Sequence, residues 1–507
     1  MDSRTWSLVL NTLLLSGATC AISLPLGSVL AWLLARTDLP GRRAGMLLLG
    51  LMLFVPLYVQ AAAWHAGFGV QGWFTQLVAV PAWLEQRTLL EGWRAAIWIH
   101  SMAAVPWVAL IVGLGLALIE PELEEQALLD GSPRQVFFRV TLRSAVPAVG
   151  VAALWVALVT AGDMTVSDLF QVRTYAEELF TRLYMGQTPG EAVLGMGPGL
   201  GLGAALVVAV LWVCTRLLPQ RRPLSLRRRW VSRLGAWRVP LGLLVGLVLL
   251  LLVGVPLVNL CYQAGIVITP TGGGWTWTWS LRNCGEMVAT CLVEYRREFG
   301  WSLGIGGLAA TGAVIAAIVL AWPARRGGLP ALPALAAVAV GLALPGPVVG
   351  LAIIWLFNFP NSRVLFWLYD QPIPAPWIAL TLRGLPLATL IMWQALRSVP
   401  AEMLDSAAAD GAGPLRRLWS VALPCRLSAA ALAWVVALAV ALGDLGASFL
   451  VVPPGVETLS TTVFGKLHAG QEFEVAGICL ALLLLFAAVA GLAVWLAGRW
   501  SRGTAAE

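Results

Sequence analysis

Charge is scarce in this sequence. Of 507 residues, 12% are Asp, Glu, Lys or Arg and 59% are hydrophobic. Soluble domains carry about 25% charged and about 45–50% apolar residues, so this chain cannot cover a water-facing surface. Lysine occurs once, as Lys466 in Phe464-Gly465-Lys466-Leu467. A phosphate-binding loop needs Ser or Thr after that lysine and a glycine five residues before Gly465. The sequence has Leu467 and Ser460 there, so the chain is not itself a P-loop ATPase. The seven cysteines form no CxxC pair, and His65, His100 and His468 share no ligand spacing. No zinc or haem site is expected, and neither HExxH nor a Ser/His pair marks a catalytic centre within the apolar runs. The densest basic run, Arg221, Arg222, Arg227, Arg228, Arg229, Arg233 and Arg238, carries no regular interleaved aromatic stacking pattern. It lies between two apolar runs, which points to membrane orientation rather than nucleic acid.

What is abundant is long apolar sequence. Runs near 8–35, 45–66, 94–119, 144–163, 192–218, 239–262, 299–322, 330–357, 375–396, 425–443 and 473–498 can each cross a hydrocarbon layer of about 30 Å as a helix. The expected fold is all-α, a polytopic membrane protein of about eleven transmembrane helices. The first run is too long for the apolar core of a signal peptide and precedes Arg36, so no cleavable signal is expected. Arginines gather in 36–44, 219–238, 323–329 and the tail, while 67–93, 164–191, 263–298, 358–374 and 444–472 mix acids with fewer bases. The positive-inside rule then places the N-terminus outside and the C-terminus in the cytoplasm. Tryptophans crowd the expected boundaries, among them Trp64, Trp73, Trp93, Trp98, Trp275, Trp277 and Trp279. Cys284 and Cys291 fall in a segment placed outside, where a disulfide is chemically permitted but two free thiols serve equally.

Two polar stretches, 120–143 and 398–424, interrupt this pattern on the side assigned to the cytoplasm. Setting Gly131 on Gly411 pairs Glu122 with Glu402, Glu125 with Asp405, Ala127 with Ala407 and Asp130 with Asp410. After one skipped residue, Pro133 meets Pro414 and Leu142 meets Leu423. Leu30-Ala31-Trp32 likewise matches Leu320-Ala321-Trp322, and Gly162-Asp163 matches Gly443-Asp444. The chain therefore reads as two copies of a five-helix unit, 1–218 and 299–498. They are joined by 219–298, which contributes a basic linker, an extra helix at 239–262 and an outer segment; 499–507 is a cytoplasmic tail. The extra helix keeps both units in the same direction, whereas an inverted repeat would suggest an ion-coupled secondary transporter. Each polar stretch reads as helix, glycine turn, helix. Acids favour the helix start, and Gly411 supplies a turn that residues with a Cβ resist.

These stretches resemble the EAA loop of ABC-importer permeases, E-A-A-x-x-x-G followed by I-x-L-P. The second copy offers Asp405-Ser406-Ala407, Gly411 and Val421-Ala422-Leu423-Pro424; the first offers Glu125-Gln126-Ala127, Gly131 and Val140-Thr141-Leu142, with Arg143 in place of proline. The segments 11–14 and 35–42 resemble the first helix and loop of these permeases, and 443–460 resembles the fused ferric-iron type, whose branch also contains thiamine and aminoethylphosphonate permeases. That resemblance implies a permease in the bacterial inner membrane that moves substrate by ATP-driven alternating access, ferric iron first, with thiamine, a phosphonate or a polyamine as alternatives. It implies a periplasmic binding protein as donor and two ATPase subunits as partners. Those subunits bind ATP and Mg, and no cofactor or metal is held by this chain. They are expected to dock on Glu125, Ala127, Asp130, Gly131, Asp405, Ala407, Asp410 and Gly411. Asp163, Asp444 and Arg383 are candidates for the translocation path or outer gate. His65 and His100 read as structural, and nothing raises Arg363 or Asp370 above other outer charges.

Overall fold

A computed structural model describes residues 3–70, 72–77, 88–117, 119, 121–185, 197–198, 201, 203–209, 231–271, 274–359 and 362–503. Among them, eight helices are long and apolar enough to span a membrane, and two bent helix pairs raise the number to ten. They coincide with ten of the eleven expected runs. Most of the remaining run, 192–218, lies outside the described residues, as do Arg221, Arg222, Arg227, Arg228 and Arg229 of the basic linker. The chain divides into two compact units, Met1–Met287 with Gly470–Leu480, and Val288–Ala469 with Ala481–Glu507.

In the first unit, the helices Ser3–Arg36, Gly92–Ala117 and Pro133–Gly162 pack on one another. Lipid tails are as apolar as leucine, so helices in a bilayer associate through close backbone approach at small residues. The seam here uses Ala31, Ala104, Ala145 and Ala152, all buried. Gly115 is the tightest point, where an added Cβ would lie 2.2 Å from the Cβ of Ala148. The extra helix, Gly235–Gly265, exposes Val239, Leu243, Leu247, Leu250 and Val258, a stripe suited to lipid. Its other face is fastened by polar groups. Asn259 donates to the Ala63 carbonyl at 3.0 Å and accepts from the Trp73 indole at 3.1 Å. Gln263 donates to Glu472 at 3.2 Å, and His65 lies 3.2 Å from the same carboxylate. His65 and Glu472 thus meet at the start of the last helix, Glu472–Gly503.

The second unit repeats this use of small residues. Arg296–Ala324 presents buried Ala309, Ala313, Ala317 and Ala321 at intervals of four, one face of a helix. The helices Pro374–Arg397 and Pro424–Gly443 pack on it. A Cβ on Gly384 would lie 3.2 Å from Ala437 and 3.5 Å from Ala313.

Both bent pairs break at a proline. Arg42–Met52 meets Leu57–Thr75 at 104°, with Pro56 at the second helix's N-cap, and Leu329–Ala343 meets Gly346–Phe357 at 111°, with Pro345 in that position. Proline has no amide hydrogen and disfavours helical conformation in the residue before it. The run 330–357, expected as one straight helix, is therefore two.

Two further findings concern the segment that follows the extra helix. The segment after the extra helix forms an antiparallel hairpin, β1 (Ile266–Thr271) and β2 (Gly274–Trp279). Trp277 and Trp279 share one face and Thr276 and Thr278 the other, as the period of two in a strand requires. Cys284 and Cys291 are both buried on one helix, Leu281–Glu294. Seven residues at a rise of about 1.5 Å place their Cα atoms roughly 10 Å apart, beyond the reach of about 7 Å for a disulfide.

Candidate functional site

Each polar loop folds as the sequence pattern suggests. In the first, helix Pro121–Asp130 carries Glu122 and Glu124 in its first turn, where a carboxylate meets the positive end of the helix dipole. Ser132 then caps the next helix through a reciprocal pair: the Gln135 amide donates to its hydroxyl and the Gln135 side chain accepts from its own amide. In the second, helix Ala401–Ala409 starts behind Pro400 with Glu402 in its first turn. Gly411 has φ 80°, the left-handed conformation that costs any residue with a Cβ about 1–2 kcal/mol. Gly131 is not left-handed; a Cβ there would press on the Gln135 side-chain oxygen at 3.1 Å. The glycine turn expected at both loops is thus enforced by φ only at the second.

Each loop re-enters its unit through a π turn, Phe137–Thr141 and Leu418–Ala422. Such turns insert one extra residue into a helix and concentrate at functional places. Glu125, Asp130, Asp405, Asp410 and Gly411 are exposed, and Ala127, Gly131 and Ala407 are half-buried. Beside the acids stand exposed apolar side chains: Leu123, Leu129 and Phe138 in the first loop, Met403, Leu415 and Trp419 in the second. Apolar anchors ringed by charge are what a helix needs to seat in a groove of a soluble protein. Sequence reasoning found the acids and small residues but not these anchors, although Leu123 and Met403 occupy matched positions.

Inside the first loop sits a buried ionic node that sequence reasoning missed. Glu124 is 0% exposed and Arg36, at the end of the first helix, 2%. Arg36 donates to Glu124 Oε2, and Thr141, the last residue of the π turn, donates to Glu124 Oε1 at 2.6 Å. Nearby, Ser232 donates its amide to the Arg36 carbonyl at 2.9 Å, and Leu234 donates to Asp38 at 3.0 Å. These bonds hold the start of the extra helix to the first loop of the chain. At the second loop, Arg325 lies over the Trp322 ring at 4.0 Å. Burial and the neighbouring Arg326 and Arg417 push its guanidinium below the ordinary range, partly offset by Asp405.

At the far ends of the helices that follow the loops lie Asp163 and Asp444. The Asp163 carboxylate accepts from the Val166 amide at 2.9 Å, and His100 Nε2 is 3.5 Å from it. Asp444 accepts from the amides of Ala447 and Ser448 at 2.8 and 3.3 Å, and from Arg383 Nε at 2.7 Å. Arg383 also donates through Nη1 to the Leu344 carbonyl at 3.0 Å, one of the groups freed where the helix breaks before Pro345. Arg383 is therefore held inside its unit, and His100, expected to be structural, has a carboxylate partner. Arg363 and Asp370 flank the short helix Arg363–Tyr369 away from this node. Among the described residues, no group of three or more His, Cys, Asp or Glu is arranged to hold a metal.

Residues 312–503 match a family model described as binding-protein-dependent transport system inner membrane component. The putrescine transport system permease protein PotI of Escherichia coli (strain K12) is 26% identical over 263 residues, 51% of this chain and 89% of the relative. The molybdenum transport system permease protein ModB of the same organism is 27% identical over 192 residues, 36% of this chain and 81% of the relative. A putative 2-aminoethylphosphonate transport system permease protein, PhnV of Salmonella choleraesuis (strain SC-B67), is 30% identical over 105 residues, 20% of this chain and 40% of the relative. Over 312–503 the chain is thus similar to the inner membrane components of binding-protein-dependent transport systems, and the multi-pass, all-α structure agrees with that similarity.

Proposed function

We propose that this chain is the transmembrane permease of an ATP-driven importer, with two fused copies of a permease unit in one polypeptide. Support for the fusion comes from length: about half of this chain accounts for 89% of the putrescine permease, and the residues paired across 120–143 and 398–424 lie in separate units. The N-terminus lies outside, the C-terminus in the cytoplasm, and the membrane is the bacterial inner membrane. The observation that carries the reading is the pair of exposed loop helices, each offering an apolar anchor beside acids: Leu123 with Glu125, and Met403 with Asp405. One ATPase subunit docks on each. Binding of ATP and Mg by those subunits closes them, the loops move, and the path opens toward a periplasmic binding protein; hydrolysis resets it. Nucleotide can bias the path only through contacts that differ between its two states, and these helices supply such contacts.

Asp444 with Arg383, and Asp163 with His100, hold the opposite helix ends and are assigned to the outer gate. Ferric iron remains the first substrate to test, on the wording of 443–460. The relatives' names are polyamine, molybdenum and phosphonate systems and add no support for iron, so those solutes form the second group to test.

Affinity capture of the tagged chain from cells expressing its neighbouring transport genes tests the docking. An ATPase should co-purify at two copies per chain. Capture of the intact chain without any ATPase would reject the reading.

A further inference from the structure

The two loops are matched in sequence but held by different physics. We propose that the first loop is a clamped lever and the second a compliant one, with Glu124 as the positioning residue that makes the difference. The proposal rests on the reading of both loops as ATPase docking sites.

On the pairing of Gly131 with Gly411, Glu124 falls on Leu404. On the pairing of Leu142 with Leu423, Thr141 falls on Ala422. On that of Trp32 with Trp322, Arg36 falls on Arg326. Leu404 is buried at 3% exposure and Ala422 at 0%, whereas Arg326 is exposed. The second loop therefore has an apolar contact where the first has carboxylate, hydroxyl and guanidinium. Arg325 and the charges acting on it, Arg326, Arg417 and Asp405, sit at half-buried or exposed positions, where screening leaves ion pairs little strength, and the bond from Arg426 to the Ser398 carbonyl at the start of this loop is likewise exposed.

An apolar contact is non-directional, so a buried leucine can shift against its neighbours and keep most of its burial. A buried ion pair with a second hydrogen bond cannot. Separating it leaves an uncompensated charge, which is why removing one partner of such a pair is strongly destabilising. The Glu124 carboxylate bonds Arg36 at the end of the first helix and Thr141 at the end of the π turn. Three elements, the first helix, the loop helix and the re-entry turn, must then move as one body. A push from an ATPase on the first loop reaches the first helix undiminished. The same push on the second loop is partly absorbed by sliding at Leu404. The two ATPase subunits, even if identical, would drive the permease unequally.

Hydrogen–deuterium exchange on the whole chain in lipid nanodiscs tests this without any ATPase. The amides of Pro121–Asp130 should exchange at least about tenfold more slowly than those of Ala401–Ala409, because opening the first loop requires breaking the ion pair. Glu124→Gln should speed exchange in 121–130 by about tenfold and leave 401–409 unchanged. Should Glu124→Gln fail to accumulate, the variant Arg36→Leu/Glu124→Leu/Thr141→Ala supplies an apolar clamp copied from the second loop. It should fold and bring the two loops to similar exchange. With ATPase and binding protein present, that variant should keep ATP hydrolysis while transport per ATP falls severalfold. Equal exchange in the wild-type loops, or protection in 121–130 that survives both variants, would overturn the proposal while leaving ATPase docking to stand on its own capture test. A wild-type chain that captures no ATPase would instead remove the docking reading, and the lever with it.

Discussion

Gly411→Trp should abolish uptake, by about 100-fold or more, while the chain still accumulates in the membrane at near-normal level. Gly411 is left-handed at φ 80°, and no atom lies within 4 Å of where its Cβ would stand. A side chain there starts into open space at its Cβ and incurs conformational strain of about 1–2 kcal/mol. The tryptophan indole adds bulk to the exposed turn next to Asp410, on the surface proposed for the ATPase. A tenfold effect corresponds to about 1.4 kcal/mol of lost coupling, so blocking one docking helix readily supplies the 100-fold. Gly411→Ala separates the two causes, since it carries the same strain without the bulk and should retain most uptake. Equal loss in both variants would mean that the turn, not the docking surface, is what matters. At the first loop, Gly131→Ala should be mild, because Gly131 is not left-handed and only the Gln135 side chain has to give.

Arg383→Leu should destabilise the folded chain by about 2–3 kcal/mol, less than the roughly 3–5 kcal/mol for breaking a fully buried ion pair, because Asp444 is buried but Arg383 only half-buried. Asp444 is buried and would keep two backbone donors but no counter-charge. The Leu344 carbonyl at the helix break would lose its donor too, an unmet group that costs about 1–3 kcal/mol. Arg383→Lys should recover only part of this, since one ammonium cannot reproduce the fork that serves Asp444 and Leu344 together. Thermal unfolding in detergent and steady-state membrane yield report both effects. A stable Arg383→Leu chain would show that Asp444 has another partner and would take Arg383 out of the outer gate.

The spans were legible because a hydrocarbon layer demands about twenty apolar residues in a row, and few other constraints write so plainly. The breaks at Pro56 and Pro345 were less so. Proline within a membrane run is often accommodated, as Pro106, Pro147 and Pro386 are inside their helices. The hairpin is written in the Thr-Trp alternation of 275–279, which has a strand's period but also fits an interfacial belt of tryptophans. Glu124 looks like its neighbours Glu122 and Glu125 in an acidic stretch. Helical periodicity could have singled it out, because Pro121, Glu124, Ala127 and Leu128 share the inward face. The Arg383–Asp444 and His100–Asp163 pairs span 61 and 63 residues. No local spacing rule links side chains on separate helices, so only the packed structure brings them together.

The central claim is the proposal that ATP, not an ion gradient, drives transport through this chain. The most direct measurement is solute uptake into proteoliposomes holding the chain with its ATPase subunits, with binding protein outside and ATP sealed inside. Ferric iron, putrescine, molybdate, thiamine and 2-aminoethylphosphonate are each tried with the matching binding protein. The account predicts uptake of one of these solutes that requires hydrolysable ATP and persists when ionophores collapse proton and sodium gradients. Uptake that continues without ATP and stops with the ionophores would contradict it and make the chain an ion-coupled transporter.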